Sequence, residues 1–120
     1  MKVLHLFFEL ILLSFLASAT CDLALADPST VVYEGLARFT ILSAQLIRLE
    51  WSPTKDFVDA KTWVVQSRQI QLTPPAFNVT RNDTHLIIQT NFVTVEYKRN
   101  VTATFNQRNI RVTIRVNDRT

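Results

Sequence analysis

Ala37-Arg38-Phe39-Thr40-Ile41-Leu42, then Leu46-Ile47-Arg48-Leu49-Glu50-Trp51, is the stretch from which the fold is read. Phe39 and Ile41 alternate with Arg38 and Thr40; Ile47, Leu49 and Trp51 alternate with Arg48 and Glu50. Side chains along a strand point to opposite faces in turn, so each run predicts a strand with one apolar face and one wet face. Only Ser43-Ala44-Gln45 separates them, which is hairpin spacing. Arg38, Arg48 and Glu50 then share the outward face. That face suits an anion clamp or the floor of another domain, but cross-strand pairing with Glu50 is the milder expectation.

The same period continues downstream. It predicts strands over 77–81, 85–90, 93–98 and 110–116, joined by Asn82-Asp83-Thr84, by Asn91-Phe92 and by a longer link. In the last strand Ile110, Val112, Ile114 and Val116 take one face, and Arg111, Thr113 and Arg115 the other. Thr73-Pro74-Pro75 breaks the pattern, because proline cannot donate to a ladder. Residues 52–62 have no period and read as an ordered loop anchored by Phe57, with Asp59 placed to cap a single helical turn. No 3.6-residue stripe occurs. The expected fold class is all-β, an antiparallel β-sandwich.

The chain of 120 residues opens with Met1-Lys2, an apolar run over 3–16 and then Ala17-Ser18-Ala19. This reads as a secretory signal peptide cleaved after Ala19, the run being too short to span a bilayer. The expected organisation is a signal peptide over 1–19, a linker or N-terminal extension over 20–35, and a single β-domain over 36–120, with no membrane association once the leader is removed. Three sequons, at Asn78, Asn82 and Asn100, agree with passage through a glycosylating compartment. The expected location is therefore outside the cell, or the lumen of the secretory pathway or lysosome.

Several function classes drop out. Gly35 is the only glycine, so glycine-rich dinucleotide and phosphate loops are excluded, and turns must be built from Asn, Asp, Ser and Pro. Cys21 is the only cysteine and His85 the only histidine after the leader, which leaves no internal disulfide and no zinc module; no metal and no cofactor is expected. The net charge is +3, before and after removal of the leader, but the charges are dispersed and export argues against a nucleic-acid partner, so none is expected.

The hairpin also carries a resemblance. Ala37-Arg38-Phe39-Thr40-Ile41-Leu42, Leu46-Ile47-Arg48-Leu49-Glu50-Trp51-Ser52-Pro53, Phe57-Val58-Asp59, Thr62 and Val64-Val65 together resemble the start of glycoside hydrolase family 31, the α-glucosidases, α-xylosidases and their relatives. The likeness is good over roughly residues 36–68, fair to Tyr97 and loose to Thr120. It implies a galactose-mutarotase-like N-terminal sandwich in which the strand pair is followed by a Phe-x-Asp loop, a Val-Val strand and a hairpin like 85–98. It also implies a partner, the catalytic (β/α)8 barrel, which the 120 residues do not contain. No residue matches either catalytic carboxylate of that family, so no catalytic residue is assigned and the chain alone is expected to be inactive. Relatives usually carry glycine in their hairpin turns, where this chain has Asn82-Asp83-Thr84 and Lys98-Arg99-Asn100. The alternative class is a stand-alone secreted module that binds carbohydrate or another partner.

A retaining glycosidase needs two carboxyl groups about 5 Å apart. Glu50 and Glu96 fall on wet faces and Asp56, Asp59 and Asp83 in loops, so convergence of two of them in a dry pocket is not expected. Trp51, Trp63, Phe57 and Phe77 are the candidates for a sugar-stacking platform. Trp51 follows the inward alternation and belongs to the core, whereas Trp63 follows the loop and is the better candidate for an exposed or interdomain ring.

Overall fold

The structure, a computed structural model, describes residues 23–63 and 65–116. The leader, its cleavage point after Ala19, Cys21 and Val64 lie outside the described residues. The described residues form seven strands: β1 (Val31–Glu34), β2 (Ala37–Ser43), β3 (Leu46–Trp51), β4 (Asn78–Arg81), β5 (His85–Gln89), β6 (Val93–Lys98) and β7 (Ile110–Ile114). They form two antiparallel sheets, ordered β1-β2-β3 and β4-β5-β6-β7. Among the described residues the only helical element is a short 3-10 turn, Pro28–Thr30, capped by Asp27, whose carboxylate accepts from the Ser29 amide at 2.8 Å. The fold is all-β.

The two sheets share one apolar core. Val32, Ala37, Phe39 and Ile41 from the first meet Leu86, Ile88, Val93, Val95 and Tyr97 from the second. Phe39 and Tyr97 approach to 5.4 Å between ring centres, and Phe105, from the link before β7, stands 6.0 Å from Phe39 and 5.6 Å from Tyr97. Tilted and edge-on rings at such distances add about 0.5–1.5 kcal/mol per pair beyond the area they bury.

The turns show how a chain with one glycine closes its hairpins. β1 and β2 are joined by Gly35-Leu36, with Glu34 opposite Ala37 and Gly35 at φ +59°. A positive φ at the first central residue is the requirement of a type II′ turn, which matches the twist of the flanking strands. Val31–Glu34, expected to be part of an extension, is therefore the first strand of the sheet. Asn100 adopts φ +59° in place of a glycine, but Asn82 does not. Its side-chain Oδ1 accepts from the amides of Thr84 (2.9 Å) and His85 (2.7 Å) and from the Thr84 hydroxyl (3.1 Å). The same turn is thus made by a side chain instead of a left-handed backbone.

Two expectations about local structure fail. Residues 52–62 contain no helical turn, and Asp59 caps nothing. Val65 lies in irregular chain instead of a strand. What orders this segment is side-chain chemistry on the outer face of β2 and β3.

Candidate functional site

The alternation in β2 and β3 places Arg38 opposite Glu50 and Thr40 opposite Arg48. This face was expected to be wet, and it is not. Arg38 is 6% exposed and Thr40 1%. The cover is supplied by Phe57–Ala60, Ala24 and Arg68, segments that no local pattern ties to the hairpin.

Arg38 sits at the centre. Its Nε and one terminal nitrogen donate to the two Glu50 oxygens at 2.7 and 3.0 Å, a bidentate fork, and its other terminal nitrogen lies 2.8 Å from Asp59. Arg48 binds Glu50 at 2.8 Å. Arg68, 3% exposed, donates to main-chain carbonyls on two segments: Ala24 at 2.5 Å, and Val58, Asp59 and Ala60 at 2.7, 3.0 and 3.4 Å. The Val58 carbonyl also accepts from Arg48 at 3.3 Å and Arg38 at 3.4 Å, so three guanidinium groups converge on one peptide oxygen. Phe57 closes the assembly: the Arg38 guanidinium carbon stands 4.7 Å from its ring centre, a cation–π contact.

Three arginines and two carboxylates leave the cluster one positive charge in excess, and the protonation energetics reflect it. For Arg38, burial pushes the guanidinium pKa down, but hydrogen bonds to Glu50, Tyr33 and Asp59 and the Glu50 charge outweigh burial and hold it above its usual value. For Arg48 burial wins: the Glu50 charge opposes it only in part, Arg68 and Arg38 add repulsion, and the pKa falls. Arg38 and Arg48 both stay charged at any physiological pH.

Beside this cluster runs an open cleft of about 430 Å³ lined by Tyr33, Arg38, Lys55, Asp56, Phe57 and Asp59. It shares Tyr33, Arg38 and Asp59 with a second hollow of about 230 Å³, walled by Leu25, Pro28 and Val31 and bounded by Arg68. Tyr33 is half exposed and its ring lies 5.9 Å from that of Phe57, tilted by 50°. Lys55 marks the lip with φ +64°, a left-handed backbone that a lysine rarely adopts.

Glu50 and Asp59 both bind Arg38 as ion-pair acceptors, and the Arg38–Glu50 contact is the cross-strand pair that the alternation predicts. The four candidate rings do not form a platform. Phe77 packs against the inter-sheet core, Trp51 is half-buried with a buried indole nitrogen that lacks a partner, Trp63 is fully exposed, and Phe57 faces Tyr33. The sequon residues Asn78, Asn82 and Asn100 are all exposed, at the start of β4, in the β4–β5 turn and just after β6. Reading the sequence missed Tyr33 and Arg68. Tyr33 could have been found from Val31-Val32-Tyr33-Glu34 ahead of the lone glycine; Arg68, in a polar run, gives no local signal.

No model of a known protein family matches the chain, and no curated protein matches it.

Proposed function

We propose that the chain is the non-catalytic N-terminal β-sandwich portion, of the galactose-mutarotase-like type, of a secreted family 31 α-glycosidase. In this reading the domain packs against a (β/α)8 barrel encoded beyond Thr120 and hydrolyses nothing alone. One observation supports it above the rest. Arg38, Arg48, Glu50 and Asp59, the charged residues of the three segments that resemble that family, meet in a single cluster together with Phe57. Residues scattered over the sequence form one recognisable pattern when they do one job, and here the job is fastening the 57–60 loop to the sheet. The carboxylates of the cluster are occupied by arginine, which fits a scaffold and not a pair of catalytic acids.

The direct test is to sequence the message through the codon of Thr120 and to assay the secreted chain on maltose and an aryl α-glucoside. The reading expects an open frame running into a barrel and no hydrolysis by the 120-residue chain. A stop codon after Thr120, or turnover by the chain alone, would contradict it.

The cleft favours a second reading, a stand-alone module that binds carbohydrate. An exposed Tyr33 beside Phe57, with Asp56, Lys55 and Asp59 around them, offers a ring face and hydrogen-bonding groups to a sugar. Saturable binding of oligosaccharide to the intact chain, lost in Tyr33→Ala, is the result this reading requires.

A further inference from the structure

The second sheet has two edges of opposite character. β4, at one edge, is four residues long, and its terminal Arg81 lies 3.3 Å from Glu34 of the first sheet. Sequon asparagines stand at its first position and in the turn that follows it. β7, at the other edge, has none of these protections. Among the described residues it pairs only with β6.

The register makes the exposure at β7 informative. Val112 lies opposite Val95 and Ile114 opposite Val93, so both point to the core side of the sheet. Yet Val95 is 1% exposed and Val93 6%, while Val112 is 48% and Ile114 69% exposed, with Val116 beyond them at 80%. Within one strand spacing of about 4.8 Å the same face passes from dry to wet. An apolar stripe beside a row of unpaired main-chain groups is a template for another strand.

The other face of β7 says what kind of strand. Arg111 and Arg115 flank Thr113 there; on β6 the outward residues are Thr94, Glu96 and Lys98, whose charges cancel. A second copy of this chain is a poor occupant. Antiparallel pairing of β7 with itself about Thr113 sets Arg111 against Arg115 of the other copy, and every in-phase register gathers four arginines on one face. We infer that β7 takes an eighth strand from a second polypeptide, with apolar residues facing the core and acidic residues opposite Arg111 and Arg115. Main-chain bonds to β7 would supply affinity, and the alternating acids would supply register and specificity. This inference does not rest on the glycosidase reading, in which a strand from the chain beyond Thr120 would compete for the same edge.

The probe is a fluorescent peptide of sequence Val-Glu-Val-Thr-Val-Glu-Val, capped at both ends, beside a version with lysine for glutamate. Anisotropy is measured with the intact secreted chain, together with amide exchange by mass spectrometry. The acidic peptide is expected to bind about tenfold or more tightly than the basic one, with exchange slowed in the segment holding 110–114. Arg111→Glu with Arg115→Glu is expected to reverse the preference. Ile114→Lys, at an exposed position, is expected to abolish capture while leaving the thermal melt unchanged. Equal binding of both peptides, no binding, or protection confined to another segment would overturn the inference. So would a self-dimer in sedimentation that Ile114→Lys dissolves, since the occupant would then be a second copy.

Discussion

Arg38 and Glu50 face each other across the β2–β3 hairpin, joined by two parallel hydrogen bonds of 2.7 and 3.0 Å, with their side chains 7% and 12% exposed. Such a pair is costly to desolvate, and its net contribution rests on how completely its remaining donors and acceptors are used. Here they are used: Arg38 reaches Asp59 and Val58, and Glu50 receives Arg48 as well. The consequence is structural. The outer face of the hairpin becomes the seat of the 57–60 loop, and that loop with Tyr33 frames the cleft.

Arg68 fastens the same loop from its other side. Replacing it takes a donor from four carbonyls; Val58 keeps Arg38 and Arg48 and Asp59 keeps the Ala24 amide, while the buried Ala24 carbonyl loses its donor at a cost of about 1–3 kcal/mol. Arg68→Lys is expected to rescue little over Arg68→Ala, because an ammonium group cannot reproduce a planar fork that reaches carbonyls on two segments. Limited proteolysis should show 55–70 cleaved faster in both variants while the inter-sheet core stays resistant. Full protection in the lysine variant would mean that charge alone suffices.

Tyr97 is 1% exposed, and its hydroxyl is buried without a partner. Tyr97→Phe removes that hydroxyl and keeps the ring against Phe39 and Phe105, so it is expected to raise stability by roughly 1 kcal/mol. Burial, helped by the Glu34 charge, lifts the Tyr97 pKa above its ordinary 10.0. The folded state therefore holds this proton more tightly than the unfolded chain. Its contribution is complete below pH 10.0 and is lost as pH rises through the higher folded value. Urea melts at increasing alkaline pH should show this loss in the native chain and a smaller one in Tyr97→Phe.

Gly35 tests the turn. A Cβ built there meets nothing within 4 Å, so Gly35→Ala is a pure backbone experiment at φ +59°. The left-handed conformation costs a non-glycine residue about 1–2 kcal/mol. A chemical melt should register a loss of that size for Ala and a smaller one for Asn. An unchanged midpoint would mean that the turn relaxes to another form.

Glycan occupancy is measured by mass before and after enzymatic deglycosylation of the chain secreted from a eukaryotic host. At least one glycan is expected. Thr80→Ala and Thr102→Ala are each expected to remove no more than one, because each deletes a single sequon with Asn78 or Asn100 left in place. No mass change in the native chain would remove the support that the sequons lend to secretion.

Much of the fold is legible in the sequence, because a period of two decides which face of a strand is apolar. β2 to β7 follow from that rule, their ends moving by a residue or two. β1 does not, since Val31-Val32 breaks alternation and only the turn at Gly35 announces a partner. What alternation cannot reveal is what covers the other face. Arg38 and Glu50 were placed correctly on one side of a hairpin, yet their burial depends on Ala24, Val58 and Arg68, which are far away in sequence. The last strand shows the converse. Val112 and Ile114 have the pattern of core residues and are wet, and among the described residues no segment covers them.

Arg38, Arg48, Glu50 and Asp59 form a structural lock on the 57–60 loop. A double-mutant cycle between Arg38 and Glu50 tests it most directly, with Arg38→Met, Glu50→Leu and the double variant compared by equilibrium unfolding. Each single change removes the bidentate pair and leaves the remaining charge one partner, Arg48 for Glu50 or Asp59 for Arg38, so the expected cost is at the lower end of about 3–5 kcal/mol. The double variant is expected to recover much of that loss, with a coupling of roughly 1–3 kcal/mol. Where a single variant no longer folds, return of a cooperative transition in the double variant gives the same answer. Simple addition of two small losses would contradict the account and leave Arg38 and Glu50 as ordinary surface residues.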